Sequence, residues 1–139
     1  MNILFLDDEM ARFAIFKRRF PNDTVVFAQT LPVGQSFLKL HMEGHTYFDI
    51  VTFDHDMYDP NAKVWYNSQG LADWFVTNCP KDKLPKIAVV HSVNEQGAWA
   101  LYHIFMKVMK TWRSPFRLES RDEYLHAAEM GKSLELEGS

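Results

Sequence analysis

Residues 3–9, Ile3-Leu4-Phe5-Leu6-Asp7-Asp8-Glu9, decide the fold. Four apolar residues followed abruptly by three acids read as a short strand buried on both faces, which leaves the core at its C-terminal end. The period then changes. Met10, Phe13, Phe16 and Phe20 recur near one helical face, Lys17, Arg18 and Arg19 crowd the last turn, and Pro21 follows as a stop. Basic residues suit the negative end of a helix. The same alternation continues along the chain. Residues 24–28 are β-branched and aromatic, a second strand, and residues 32–40 form a second helix ending near Gly44. Residues 48–53 give a third strand, which again stops at acid: Asp54, His55, Asp56. A polar loop is expected over residues 58–68, with Trp65 and Tyr66 read as anchoring it on the core in preference to stacking on a base. Gly70 opens a short helix through Leu71, Trp74 and Phe75, and residues 87–90 form a fourth strand ending at His91 and Ser92. Ala98, Leu101, Phe105 and Val108 mark the clearest helical stripe, over residues 98–109. Ser92 with Glu95, and Ser120 with Glu123, have capping-box spacing; the second pair opens a tail helix that ends near Gly131. Strands alternating with helices give an α/β domain with a mainly parallel sheet.

Composition narrows the function. The 139 residues suit one core, with 47% apolar and 24% charged residues. A net charge of -3 argues against a dedicated nucleic-acid binder with an extended basic surface. The single cysteine, Cys79, excludes an internal disulfide and a cysteine-rich zinc site. No apolar run reaches the length of a membrane-spanning helix, so a cytoplasmic protein without a membrane partner is expected. The sheet domain is assigned to residues 1–118, followed by a helical extension and frayed tail over residues 119–139.

Right-handed crossovers place the C-terminal ends of parallel strands on one edge, where ligands bind in open α/β sheets. Asp7, Asp8 and Asp54 therefore converge, and carboxylates brought together call for a hard divalent cation such as Mg²⁺. Taken singly they read as helix caps, Asp8 for the first helix. His55 and His91 are suited to move protons in opening a phosphodiester, or else are hydrogen-bonded structural histidines. Ser92 and Asn94 offer phosphate donors where a helix begins, or cap that helix. His41 and His45 have metal-pair spacing interrupted by Gly44 and read as structural, while His103 and His126 read as solvated.

Leu6-Asp7-Asp8-Glu9 followed by Asp54 resembles the response-regulator receiver, in which an acidic pair binds Mg²⁺ and a third aspartate is phosphorylated. Two features depart from it. His55 and Asp56 stand where receivers carry apolar residues. No fifth strand ending in the receiver lysine is expected either, since only Pro115-Phe116-Arg117-Leu118 follows Met109 as an extended stretch. The fuller set reads Leu6-Asp7-Asp8-Glu9 with Arg12, Asp54-His55-Asp56-Met57, Gly70, and His91-Ser92-Val93-Asn94 with Gly97. Over residues 1–110 it resembles the cyclic-phosphate processing receiver-like domains of bacteria and their phages. That resemblance implies a flavodoxin/receiver-like open parallel sheet in the order 2-1-3-4 with helices on both faces; the loop over residues 58–68 and the C-terminal helical extension from Ser120 depart from it. It implies a metal-assisted phosphodiesterase acting on a 2′,3′-cyclic RNA end or a cyclic nucleotide. Asp7, Asp8 and Asp54 would hold Mg²⁺ or Mn²⁺, His55 and His91 would carry protons, and Ser92, Asn94 and Arg12 would bind phosphate. Two other functions stay open: signalling through phosphorylated Asp54, and a non-enzymatic module binding a nucleotide, or a protein through Trp74 and the tail helix.

Overall fold

The structure, a computed structural model, describes residues 1–114 and 120–130. Strands β1 (Asn2–Leu6), β2 (Thr24–Ala28) and β3 (Ile50–Phe53) are followed by a hairpin, β4 (Asp56–Asp59) and β5 (Val64–Asn67). Strands β6 (Ile87–Val90) and β7 (Lys110–Arg113) complete the set. The helices are α1 (Met10–Arg19), α2 (Leu31–Met42), α3 (Gln69–Asn78), α4 (Glu95–Met106) and α5 (Arg121–Met130), with a single 3₁₀ turn at Lys81–Lys83. The main sheet is parallel throughout, in the order β2-β1-β3-β6-β7.

The expected order 2-1-3-4 is therefore present as β2-β1-β3-β6, and a fifth strand extends it. That strand was not expected. Lys110-Thr111-Trp112-Arg113 has no apolar run to announce it, yet its last three residues are buried and it pairs with β6 from Ile87↔Lys110 to Val90↔Arg113. Sheet pairing and the burial of Trp112 supply what strand propensity does not. The segment 58–68 is likewise no simple loop, because β4 and β5 pair antiparallel from Asp56↔Asn67 to Asp59↔Val64. Lys63 takes a left-handed φ of 55° just before β5 begins. The Pro115-Phe116-Arg117-Leu118 stretch, the 118/119 boundary, Gly131 and residues 133–139 lie outside the described residues.

Alternation along β1 splits the core in two. Leu4 and Leu6 pack with Leu38, Phe53, Ala72, Phe75, Leu101 and Phe105, the side covered by α2, α3 and α4. Ile3 and Phe5 pack with Phe16, Phe20, Val89, Trp112 and Tyr124, the side covered by α1 and α5. Helices thus lie on both faces. Helix α5 is fastened to the sheet by buried Tyr124 and Ala128, and its Arg121 Nε donates to Asp23 (2.7 Å). No helix among the described residues is long and apolar enough to cross a membrane.

Candidate functional site

The sheet ladder continues one residue beyond each strand. Asp7 N–H donates to the Ala28 carbonyl, Asp54 to Leu6, His91 to Phe53 and Ser114 to Val90, at 2.8–3.1 Å. Parallel pairing thus lines up Asp7, Asp54 and His91 side by side, and a polar row at the C-terminal edge follows from topology alone. Asp8 joins them from the start of the loop into α1. Oxygens of Asp7, Asp8 and Asp54 all lie within 4.8 Å of one another.

Each carboxylate is held differently. Asp7, fully buried, accepts the Glu9 N–H at Oδ1 (2.8 Å), and its Oδ2 lies 3.0 Å from His91 Nε2 and 3.6 Å from Arg12 Nη1. Burial works to raise its pKa, but the His91 contact, the Glu9 N–H and Arg12 together hold it below the usual range. Asp8 Oδ2 accepts the Tyr58 N–H (2.8 Å), and burial with the neighbouring charge of Asp7 pushes its carboxyl up. Asp54 accepts its neighbour's His55 N–H at Oδ1 (2.9 Å) and takes Arg12 at Oδ2 (3.4 Å). Burial raises it to about 6, a shift opposed by the charges of His91 and Arg12 and reinforced by those of Asp7 and Asp8. Three oxygen-donor carboxylates set against one neighbouring guanidinium remain short of positive charge. Hard donors at this spacing suit Mg²⁺ or Mn²⁺, and the cluster is compatible with divalent-cation binding.

The histidines stand behind aspartates. His91 lies flat on Phe5 (ring centroids 4.6 Å, 11°), with Nδ1 2.6 Å from Thr52 Oγ1 and Nε2 on Asp7. One consistent arrangement has the Thr52 hydroxyl donate to Nδ1 and Nε2–H donate to Asp7. His55, also buried, has Nδ1 2.7 Å from Asp56 Oδ1 and Nε2 2.7 Å from Gln69 Nε2. The Gln69 amide donates there, so Nδ1–H faces Asp56. Gly97, at the start of α4, lies against this ring, and a Cβ at that position would collide with it. Asn94 caps α4 by accepting the Gly97 N–H (3.1 Å) and donates to Asp56 Oδ2 (3.2 Å), while Ser92 Oγ accepts the Asn94 N–H (3.1 Å). Of the two residues read as capping α4, Asn94 caps it, and the Ser92–Glu95 capping box does not form. In α5, Ser120 accepts the Glu123 N–H (3.2 Å) as its spacing suggested. At the start of α1, Glu9 occupies the cap position and Asp8 does not cap.

Of the expected site residues, Asp7, Asp8, Asp54 and Arg12 are brought together and His91 abuts them through Asp7. His55, Ser92 and Asn94 are engaged in the loops around Asp56. A cleft of about 110 Å³ opens over the cluster, lined by Asp8, Glu9, Arg12, Asp54, Asp56, Trp65 and Val93. Sequence reasoning assigned no role to Glu9 or Asp56, although both stand in the quoted boxes, nor to Thr52, whose hydroxyl in an otherwise apolar strand was the available signal. Trp65 does not anchor on the core: it is 66% exposed. His41 is structural as read, with Nε2 2.6 Å from the Lys83 carbonyl and Nδ1 accepting the Phe48 N–H. His45, His103 and His126 are exposed.

A family model described as the cyclic-phosphate processing receiver domain matches residues 2–107. No curated protein matches the chain. Among solved structures, the chain is similar to a CheY-like response regulator receiver domain protein from Methanospirillum hungatei JF-1. That match has TM-score 0.65 and 16% identity, covering 94% of this chain and 92% of that one. A receiver domain from Methylobacillus flagellatus matches at TM-score 0.62 and 17% identity, over 93% of this chain and 98% of that one. The Mn²⁺-bound form of response regulator Rcp1 matches at TM-score 0.62 and 12% identity, over 93% and 90%. At these identities the likeness is one of fold: this is a CheY-like receiver fold.

Proposed function

The chain belongs to the cyclic-phosphate processing receiver family, and from that premise we propose that it is a metal-assisted phosphodiesterase that opens a cyclic phosphate. The observation that carries the reading is the convergence of Asp7, Asp8 and Asp54 within 4.8 Å, beside Arg12 at the sheet edge. Those three aspartates hold Mg²⁺ or Mn²⁺, a reading supported by the Mn²⁺ in the Rcp1 structure of the same fold. When bound, the cation offsets charge on the phosphate oxygens and eases deprotonation of water. Arg12, half-buried beside Asp54, donates to a phosphate oxygen from the cleft wall. Asp56 lines the same cleft with its side chain 45% exposed, and takes the proton from the attacking water. Both histidines then act through an aspartate as positioning residues: His91 orients Asp7, and His55 orients Asp56. In the reaction water adds to phosphorus as its proton passes to Asp56, and one ester P–O bond breaks. The leaving oxygen takes a proton from solvent while Asp56 releases its own, and a phosphomonoester with a free hydroxyl results.

Signalling through Asp54 is the second reading, favoured by the receiver fold itself. Against it, the cation paired with Asp54 is Arg12 from α1, and Arg113 at the end of β7 lies over the Trp99 ring (5.0 Å). The test is phosphorus NMR of adenosine 2′,3′-cyclic phosphate, adenosine 3′,5′-cyclic phosphate and a cyclic-phosphate RNA end, each with Mg²⁺ or Mn²⁺. Turnover of one of them is expected, falling about 10²–10⁴-fold in Asp56→Asn. A stable phosphoryl adduct on Asp54 with no turnover would favour signalling instead.

A further inference from the structure

The cleft over the carboxylates encloses about 110 Å³. Sites that surround a drug-sized ligand hold roughly 300–1,000 Å³, so only the phosphate end of a substrate can be enclosed here. The remainder must lie on the rim, and the rim has an unusual composition. Trp65 is 66% exposed and Val93 is 73% exposed, both among the cleft-lining residues. An indole left this open beside buried carboxylates is unfavourable to the free protein, since it surrenders the gain from burying a large aromatic surface.

The indole is nonetheless held in place. Trp65 sits opposite Tyr58 in the β4–β5 ladder, with ring centroids 5.1 Å apart at 53°. Tyr58 is tied by its N–H to Asp8 of the carboxylate cluster (2.8 Å). On the adjoining positions Met57 is buried, and Tyr66 lines a separate cavity against the start of α2. At its base the hairpin is stitched to the end of β3: Ser68 N–H donates to the His55 carbonyl (2.9 Å) and Ser68 Oγ to that of Asp54 (2.5 Å). The platform and the phosphate end therefore share one short run of backbone.

We infer that the substrate is a nucleoside cyclic phosphate whose base stacks on Trp65 while its phosphate enters the carboxylate cleft. This rests on the phosphodiesterase reading and adds to it the residue on which the nucleoside is held. Stacking of this kind tolerates any base. A mononucleotide and the terminal nucleotide of an RNA present the same chemistry, and the experiment separates them.

The test is calorimetric binding in Mg²⁺ of three probes: glycerol 1,2-cyclic phosphate, adenosine 2′,3′-cyclic phosphate, and a short single-stranded RNA ending in a 2′,3′-cyclic phosphate. Wild type is compared with Trp65→Ala and Trp65→Phe. The adenosine probe is expected to bind about 5- to 150-fold tighter than the glycerol probe, the range set by base–aromatic stacking. Trp65→Ala should erase that difference and Trp65→Phe should keep most of it. Tighter binding of the RNA than of the mononucleotide, lost in Trp65→Ala, assigns the RNA end as the source; equal binding assigns the free nucleotide. Equal affinity for the glycerol and adenosine probes, or an adenosine preference that survives Trp65→Ala, overturns the stacking site while leaving the phosphodiesterase reading standing. If no probe binds in Mg²⁺, both fall together.

Discussion

Burial lifts Asp54 to a pKa of about 6 from the ordinary 3.8, which makes its ionised form a destabilising element of the metal-free protein. The sign follows from linkage. Stability from the protonated carboxyl is complete below the unfolded pKa and is lost as pH rises through about 6, a span of roughly 3 kcal/mol. Asp54→Asn removes the penalty. In a chelator near pH 7.5 it should stabilise the fold by about 1–3 kcal/mol in urea denaturation, with the gain shrinking toward pH 4. An unchanged or lower midpoint at the higher pH would count against the buried-charge account. Asp7 runs the other way. Its pKa lies below the usual value, so its ionised form stabilises the protein above the unfolded pKa, and that contribution is lost as pH falls through the folded one. His91→Ala withdraws the Asp7 contact and a ring stacked on Phe5. We expect it to destabilise the protein by about 2–4 kcal/mol, read from the denaturation midpoint. The aspartates were legible in the sequence because each ends an apolar run. The orientation of the histidines was not, since it depends on Thr52 and Gln69, distant in sequence from the rings they contact.

Strands β1, β3 and β6 announce themselves as apolar runs buried in the middle of the sheet, β2 at its edge as a β-branched and aromatic run, and the sequence reading finds each of them. Strand β7 and the hairpin escape it for a common reason. Each is four residues per strand and mixes charged, polar and aromatic side chains, so what makes them strands is a partner rather than a pattern. The hairpin matters most for the proposed function, since it carries Asp56 and Trp65 to the cleft. It is braced from α4, where Gly97 makes room for the His55 ring and Asn94 holds Asp56. Gly97→Ala is a sharp test of that brace. Helix propensity alone would make it favourable by roughly 1 kcal/mol. The collision with His55 should reverse the sign and destabilise by about 1–3 kcal/mol. Trp65→Ala, in contrast, should shift the midpoint by no more than roughly 0.5 kcal/mol. A stabilised Gly97→Ala protein would mean that the His55 ring moves freely and does not position Asp56.

Across the whole molecule, the parallel order β2-β1-β3-β6-β7 sets the C-terminal edge, and α1 and α5 on one face with α2, α3 and α4 on the other leave that edge open. A cation held there, as proposed above, would bind the folded state alone, because Asp54 is 46 residues or more along the chain from Asp7 and Asp8. Binding therefore raises stability by mass action, about 2.7 kcal/mol when free metal is a hundred times its dissociation constant. For a domain of this length that corresponds to a rise in Tm of roughly 5–10 °C. Protons compete for the same oxygens, and Asp54 is the group that holds one most tightly near neutrality, at about 6. Metal-induced stabilisation should thus be nearly constant above about pH 7. Below pH 6 apparent affinity should weaken by up to about tenfold per unit of pH, the consequence of displacing one proton. Thermal melts with Mg²⁺ or Mn²⁺ across this range, on wild type and Asp54→Asn, read both effects. Wild type should show the pH-dependent shift and Asp54→Asn should lose most of it. A shift of equal size at every pH, or one that Asp54→Asn retains in full, would place the cation elsewhere on the protein.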